Sequence, residues 1–200
     1  MNLISNTCLG AALYNIIGEE YENPFCWNVI DFKSICNLIR DFNTIDFNNY
    51  ELKKDNMWHF SIIIDRKVIV NYVHYKFSKD CTKLTKINVD MFWNKIWEYI
   101  TTKYDERLAR MLKMKKNPIF IIGSIHKSHF YTEEQITEVC KLCTEKKYKL
   151  VVVNNNFDFS DRFPNVMFIK TDRSEEELNN IDFAKEIYPQ IKEFINESTL

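Results

Sequence analysis

Glycine is scarce in this chain, with three among 200 residues. The common phosphate-cradling loops are built on glycine, because the backbone must approach the phosphate without a Cβ in the way. Neither the P-loop pattern nor the dinucleotide fingerprint occurs, so nucleotide handling of those two kinds is excluded. An excess of one charge is also missing. Basic residues number 27 and acidic residues 28, for a formal charge of -1, and no long block of one sign occurs. Lysines gather at Lys113, Lys115 and Lys116 and again at Lys146, Lys147 and Lys149, but with acidic residues nearby. A nucleic-acid surface needs a more lopsided balance, so no nucleic-acid partner is expected. No apolar run approaches the ~20 residues that a membrane-crossing helix requires. The N-terminus has no basic stretch leading into a signal-like apolar segment, which makes the cytoplasm the expected location.

What is present points to a well-filled core. Hydrophobic residues make up 46% of the chain, and 200 residues suffice for one domain or two closely packed lobes. The six cysteines are Cys8, Cys26, Cys36, Cys81, Cys140 and Cys143. Without an export signal they read as reduced thiols rather than a disulfide framework.

Local patterns give an order of elements. Leu3–Ser5 reads as a short strand, with Asn6 or Thr7 capping a helix through Leu9, Leu13, Ile16 and Ile17 that Gly18 stops. Asp31 reads as the N-cap of a helix buried through Ile35, Leu38 and Ile39. Two β-rich runs, Phe60–Ile64 and Val68–Tyr75, flank Asp65-Arg66-Lys67 as in a hairpin. The period of two sets His74 on the face of Tyr72, Val70 and Val68. Two registers are open: one pairs His59 with His74, and a three-residue loop pairs Trp58 with His74 instead. A long helix runs from Asp90 to Met114, striped by Phe92, Ile96, Ile100, Tyr104, Leu108 and Met111 or Leu112. Beyond Pro118 strands alternate with helices: Ile119–Gly123, Glu133–Lys147, Leu150–Asn154, Val166–Ile169, then a helix from about Asp182 to Ile195. The expected fold is one α/β domain over residues 1–200, with sub-lobes at 1–115 and 116–200. It has a mainly parallel sheet, helices on both sides in three layers, and an antiparallel hairpin.

Cys8 is the residue most suggestive of chemistry. A thiol opening a helix meets unpaired backbone N–H groups and the positive end of the helix dipole, both of which favour thiolate. Small buried cysteines also occupy such positions. With His74 as general base, a Cys8 thiolate can attack a carbonyl carbon, while amides at the helix start and the Asn6 side chain hold the oxyanion. Asp31, Asp65 and Asp80 are the open choices for a group that orients His74.

Three stretches in order, Ile4-Ser5-Asn6-Thr7-Cys8-Leu9-Gly10, Asn23-Pro24-Phe25 and Val73-His74-Tyr75, resemble a bacterial family of unknown function often found with exopolysaccharide-biosynthesis genes. In that family the corner reads Ser-Asn-Asn-Cys and the turn Ser-Pro-Phe, where this chain has Thr7 and Asn23. The chain is more distantly similar to a second family described as papain-like cysteine peptidases. There the turn usually reads Phe-Asp-Trp, against Phe25-Cys26-Trp27 here, and an arginine-bearing helix precedes a buried strand, as in Tyr104–Arg110 followed by Ile119–Ile122. The likeness spans roughly residues 3–155. It implies a cysteine-nucleophile hydrolase or acyltransferase acting on an acylated or glycan substrate linked to surface polysaccharide.

Other candidates carry competing readings. Arg107 and Arg110 can clamp a phosphate or carboxylate, or complement the helix dipole from solvent. Asn154 opens Asn154-Asn155-Asn156 at the carboxyl edge of a buried strand, where open α/β sheets bind ligands, although asparagines are also ordinary turn formers. His126, His129, Cys140 and Cys143 are of zinc-ligand type, but Ile136, Val139, Cys140 and Cys143 share one helix face and read as core. Neither a metal nor any other cofactor is expected. The expected partner is a small-molecule or acylated glycan substrate. The rival function is a non-catalytic binding or assembly module for a sugar, nucleotide-sugar or other polar ligand.

Overall fold

The computed structural model describes residues 2–7, 9–18, 23–26, 28–55, 60–71, 89–113, 118–124, 131–154, 156–171 and 181–196. In chain order the first elements are β1 (Leu3–Ser5), α1 (Leu9–Ile17), β2 (Val29–Ile30), α2 (Phe32–Asp41), β3 (Tyr50–Lys54), β4 (Phe60–Ile64) and β5 (Val68–Asn71). Then follow α3 (Val89–Lys113), β6 (Ile119–Ser124), α4 (Glu133–Lys146), β7 (Lys149–Asn154), β8 (Val166–Lys170) and α5 (Ile181–Asn196).

The fold is α/β. Four parallel strands lie in the order β1-β6-β7-β8, and a separate antiparallel sheet has the order β2-β5-β4-β3. Apolar residues fill both faces of the parallel sheet, as a doubly covered sheet requires. Leu3, Ile119, Ile121, Val151 and Val153 face α1 and α5. Ile4, Phe120, Ile122, Leu150 and Val152 face the larger core, shared with α2, α3, α4 and the antiparallel sheet. Because β1 belongs to the sheet completed by residues beyond 118, the two expected sub-lobes are joined through it.

Helix ends follow their local chemistry. Asp31 caps α2 by accepting from the Ser34 N–H at 2.7 Å. Thr132 and Gln135 form a reciprocal capping box on α4. Gly18, at φ 73, ends α1 with its N–H on the Tyr14 carbonyl at 3.1 Å. On α3 the stripe Ile96, Ile100, Tyr104, Leu108 and Met111 is buried, whereas Leu112 is 51% exposed, so Met111 completes the inner face.

The expected hairpin is the centre of a larger sheet. Its register pairs Ile64 with Val68 and Ile62 with Val70, across the three-residue loop 65–67. Asp65 and Arg66 both adopt positive φ, which matches the right-handed twist of a tight hairpin. Trp58, His59 and His74, whose pairing this register bears on, lie outside the described residues. Two flanking strands were not expected. β3 is a largely exposed edge ending in Lys53 and Lys54, and β2 is only two residues long. Among the described residues no helix is long and apolar enough to cross a membrane.

Candidate functional site

The carboxyl ends of β1 and β6 meet at a polar corner of buried side chains, Ser5, Asn6 and Thr7. After β1 the chain enters α1 on one face of the sheet. After β6 it goes on to α4 on the other. Two neighbouring strands whose connections diverge in this way open a crevice at a topological switch point, the usual ligand position in open α/β sheets. By sequence Cys8 falls here, between Thr7 and the first residue of α1, although Cys8 lies outside the described residues.

Asn6 builds the corner. Fully buried, its carboxamide reads the β6 backbone as another peptide would: Oδ1 accepts from the Gly123 N–H at 2.9 Å and Nδ2 donates to the Gly123 carbonyl at 3.2 Å. The second amide hydrogen goes to the Tyr131 hydroxyl at 3.0 Å. Burial is the main cause that pushes the Tyr131 phenol up to about 12, and the Asn6 bond acts against it. With both amide hydrogens engaged inside the protein, the expectation that Asn6 donates to an oxyanion is corrected: its side chain joins two strands. Space around it is tight, most of all at Gly10. A Cβ on Gly10 would lie 2.8 Å from the Ser5 Cβ, and one on Gly123 would lie 3.3 Å from the Thr7 Cγ2.

β2 and the Asn23-Pro24-Phe25 turn both dock against the β1 segment. The Asn6 carbonyl accepts from the Ile30 N–H at 3.3 Å, which docks β2 beside the corner. β2 in turn pairs with β5, Val29 with Asn71 and Ile30 with Val70. The turn of Asn23-Pro24-Phe25 is fastened to β1, since Asn23 Nδ2 donates to the Leu3 carbonyl at 2.7 Å. Asn23 Oδ1 accepts from the Phe25 N–H at 3.0 Å, closing the turn. β1, the turn, β2 and β5 are therefore consecutive neighbours. His74 follows β5 in sequence and lies outside the described residues.

Next to this array stands Asn28, with no exposed surface. Its Nδ2 donates to the Pro24 carbonyl at 2.8 Å, while its Oδ1 has no hydrogen-bond partner among the described residues. A buried amide oxygen left unbonded costs about 1–3 kcal/mol. No sequence pattern singled this residue out, because an orphaned acceptor is a property of the fold.

Two of the remaining candidates make hydrogen bonds within the fold. Arg107 is buried, contrary to the expectation of a solvated helix-end arginine, and its Nη1 donates to the Cys26 carbonyl at 3.0 Å. It braces α3 against the turn. Arg110 is half-buried on the same helix; the Glu106 carboxyl is held below its usual range chiefly by its hydrogen bond from Lys103, with a smaller contribution from the Arg110 charge. Asn154 is buried at the end of β7, where its Oδ1 accepts from the N–H groups of Asn156 at 2.9 Å and Phe157 at 2.6 Å. Its Nδ2 donates to the Phe157 carbonyl at 3.1 Å. That is the turn-forming reading, with the carboxamide committed to its own loop.

Asp31 is the α2 cap, and Asp65 Oδ1 accepts from Asn49 Nδ2 at 3.4 Å while its Oδ2 pairs with Lys67 at 3.5 Å. Asp80 lies outside the described residues. Cys140 and Cys143 are fully buried on α4, and burial pushes Cys140 up to about 12 and Cys143 well above its ordinary value. Cys26 and Cys36 are also buried, and the Cys26 thiol donates to Asn23 Oδ1 at 3.6 Å. His126 and His129 lie outside the described residues. An open groove of about 440 Å³ runs along α4 past Glu134, Glu138, Lys141 and Arg162, and Asn6 is not among its lining residues. No family model and no curated protein matches the chain.

Proposed function

We propose that the chain is a cysteine-nucleophile enzyme acting on an acyl group, with Cys8 as nucleophile and His74 as general base. The observation that carries this reading is the run of adjacent elements: the Asn6 corner, β2 docked on its carbonyl, and β5 paired with β2. The residues flanking Cys8 and the strand preceding His74 are thus separated by one two-residue strand, at a switch point suited to ligands. Burial of Cys26, Cys36, Cys140 and Cys143 leaves Cys8 and Cys81 as the thiols to test.

In the proposed reaction His74 takes the Cys8 proton. The thiolate sulfur attacks the carbonyl carbon and the carbonyl electrons move onto oxygen. N–H groups at the start of α1 lack partners within the helix and stabilise that oxyanion. As the oxyanion collapses, the bond from carbonyl carbon to the leaving oxygen or nitrogen breaks, and the imidazolium returns its proton to the leaving group. Water or an acceptor hydroxyl, deprotonated by His74, then releases the acyl group from sulfur. Asn6 serves by holding the corner. The likeness to a family found beside exopolysaccharide genes favours an acylated glycan as substrate, met in the cytoplasm.

Iodoacetamide labelling of Cys8 against pH, in a Cys81→Ser background, tests the reading. Labelling is expected well below the ordinary thiol pKa of about 8.5, and it should weaken in His74→Ala. A Cys8 as unreactive as the buried thiols, or a profile untouched by His74→Ala, sinks it. A chain that binds a sugar without a reactive Cys8 would then be the binding module instead.

A further inference from the structure

We propose that β3 is a self-association edge, pairing antiparallel with the β3 of a second copy of this chain so that their two antiparallel sheets join into one. β3 closes its sheet at one end. It pairs along its whole length with β4, and among the described residues no strand lies on its other side. A strand so placed presents N–H and C=O groups that can pair with another chain. Which residues present them follows from the ladder. The Asp65 N–H donates to the Asn49 carbonyl at 2.7 Å, and this pair continues the register in which Tyr50 meets Ile64. Bonded and non-bonded pairs alternate along an antiparallel ladder. Glu51 and Lys53 therefore bond to β4, whereas the amide and carbonyl of Leu52, at the centre of the strand, are directed to the outer edge.

The charges choose both the partner and the register. Glu51 and Lys53 are exposed and share one face of the strand, on either side of Leu52. Directly across the ladder they meet Ile63 and Ser61, so neither stands opposite a counter-charge in its own sheet. A second β3 laid antiparallel, with Leu52 opposite Leu52, brings Glu51 of each copy against Lys53 of the other. The two-fold axis makes both pairs equivalent. They fall at non-hydrogen-bonded positions, where facing side chains come closest. A slide of two residues, the smallest that still joins outward-directed groups, sets Glu51 against Glu51 or Lys53 against Lys53. Edge lysines ordinarily discourage pairing. Here a glutamate matches the lysine across the centre of the strand, so the charges that repel a slipped strand attract an in-register copy.

Sedimentation equilibrium over a concentration series tests this on the full chain, comparing the parent with Glu51→Lys, Lys53→Glu and the double exchange. The parent is expected to pass from monomer to dimer as concentration rises. Each single variant turns both attractive pairs into repulsive ones and should weaken dimerisation about tenfold or more. The double exchange restores opposite charges across the axis and should recover it. A parent that stays monomeric at every concentration overturns the proposal and leaves the edge to a strand of another protein. A dimer that both single variants leave unchanged, or that the double exchange fails to restore, also overturns it. Residue-level amide exchange in the unmutated chain gives a check that needs no variant. Protection of the Leu52 amide should grow with protein concentration, while the Glu51 and Lys53 amides, bonded to β4, should not respond. A Leu52 amide indifferent to concentration contradicts pairing through β3.

Discussion

Asn6 and Asn154 are both buried and both stand at carboxyl ends of parallel strands, yet their carboxamides work over different distances. Asn154 closes on Asn156 and Phe157, a loop it would form in almost any setting. Asn6 reaches Gly123 and Tyr131, more than a hundred positions away. One asparagine shapes a turn. The other determines where β1 ends relative to β6, and so where the chain goes as it approaches α1. The same residue type at equivalent edges of one sheet is thus a local device in one place and the joint of a candidate site in the other.

Aspartate at each position should expose that contrast most strongly. Asn6→Asp removes both donated bonds and sets a carboxylate against the Gly123 carbonyl, so urea unfolding should show a loss of about 3 kcal/mol or more. Asn154→Asp keeps the acceptor that serves two backbone N–H groups and loses one donated bond, to the Phe157 carbonyl, within its own loop, so its loss should be about 1–2 kcal/mol, smaller than that of Asn6→Asp. Equal losses would abolish the distinction.

Gly10→Ala sharpens it from the helix side. Alanine is worth up to about 1 kcal/mol over glycine inside a helix, but the added Cβ would meet Ser5 at 2.8 Å. Overpacking of that kind costs about 1–3 kcal/mol, so a net loss is expected, and a stabilised variant would show that α1 does not press on β1. Asn154→Ala removes three local bonds and should cost about 2 kcal/mol by the same unfolding measurement, still short of Asn6→Asp.

The pH dependence gives the finest discrimination. The Tyr131 pKa is raised in the fold, to about 12, against about 10 when unfolded. Its contribution is therefore whole below about pH 10 and is lost as pH rises towards 12. Cys36 and Cys140, also raised to about 12, act in the same sense from a lower starting point. Tyr131→Phe should flatten the alkaline fall in the urea midpoint. An unchanged slope would assign that fall to the other groups that burial raises, the thiols together with Tyr50 and Tyr148.

Much of the architecture was legible because it is written in local periods. The continuous apolar runs of β6 and β7, the core face of α4 with Cys140 and Cys143, and the Asp31 cap each follow from neighbours a few residues apart. β3 was missed because Tyr50-Glu51-Leu52-Lys53-Lys54 is an edge strand with little buried surface to pattern it. β2 is too short to have a period at all. Arg107 was misread because a rule for exposed helix ends takes no account of the turn packed over it. The pairing of Asn6 with Gly123 and the orphaned oxygen of Asn28 depend on contacts between distant segments, which a single sequence does not display.

The central claim, that Cys8 is a nucleophile served by His74, is tested most directly by trapping the acyl intermediate. The protein is exposed briefly to p-nitrophenyl acetate, quenched in acid and mapped by peptide mass. The account predicts acetylation on the peptide containing Cys8, abolished in Cys8→Ser and strongly reduced in His74→Ala. Acetyl groups spread over the other thiols, or a Cys8 peptide acetylated equally without His74, would contradict it.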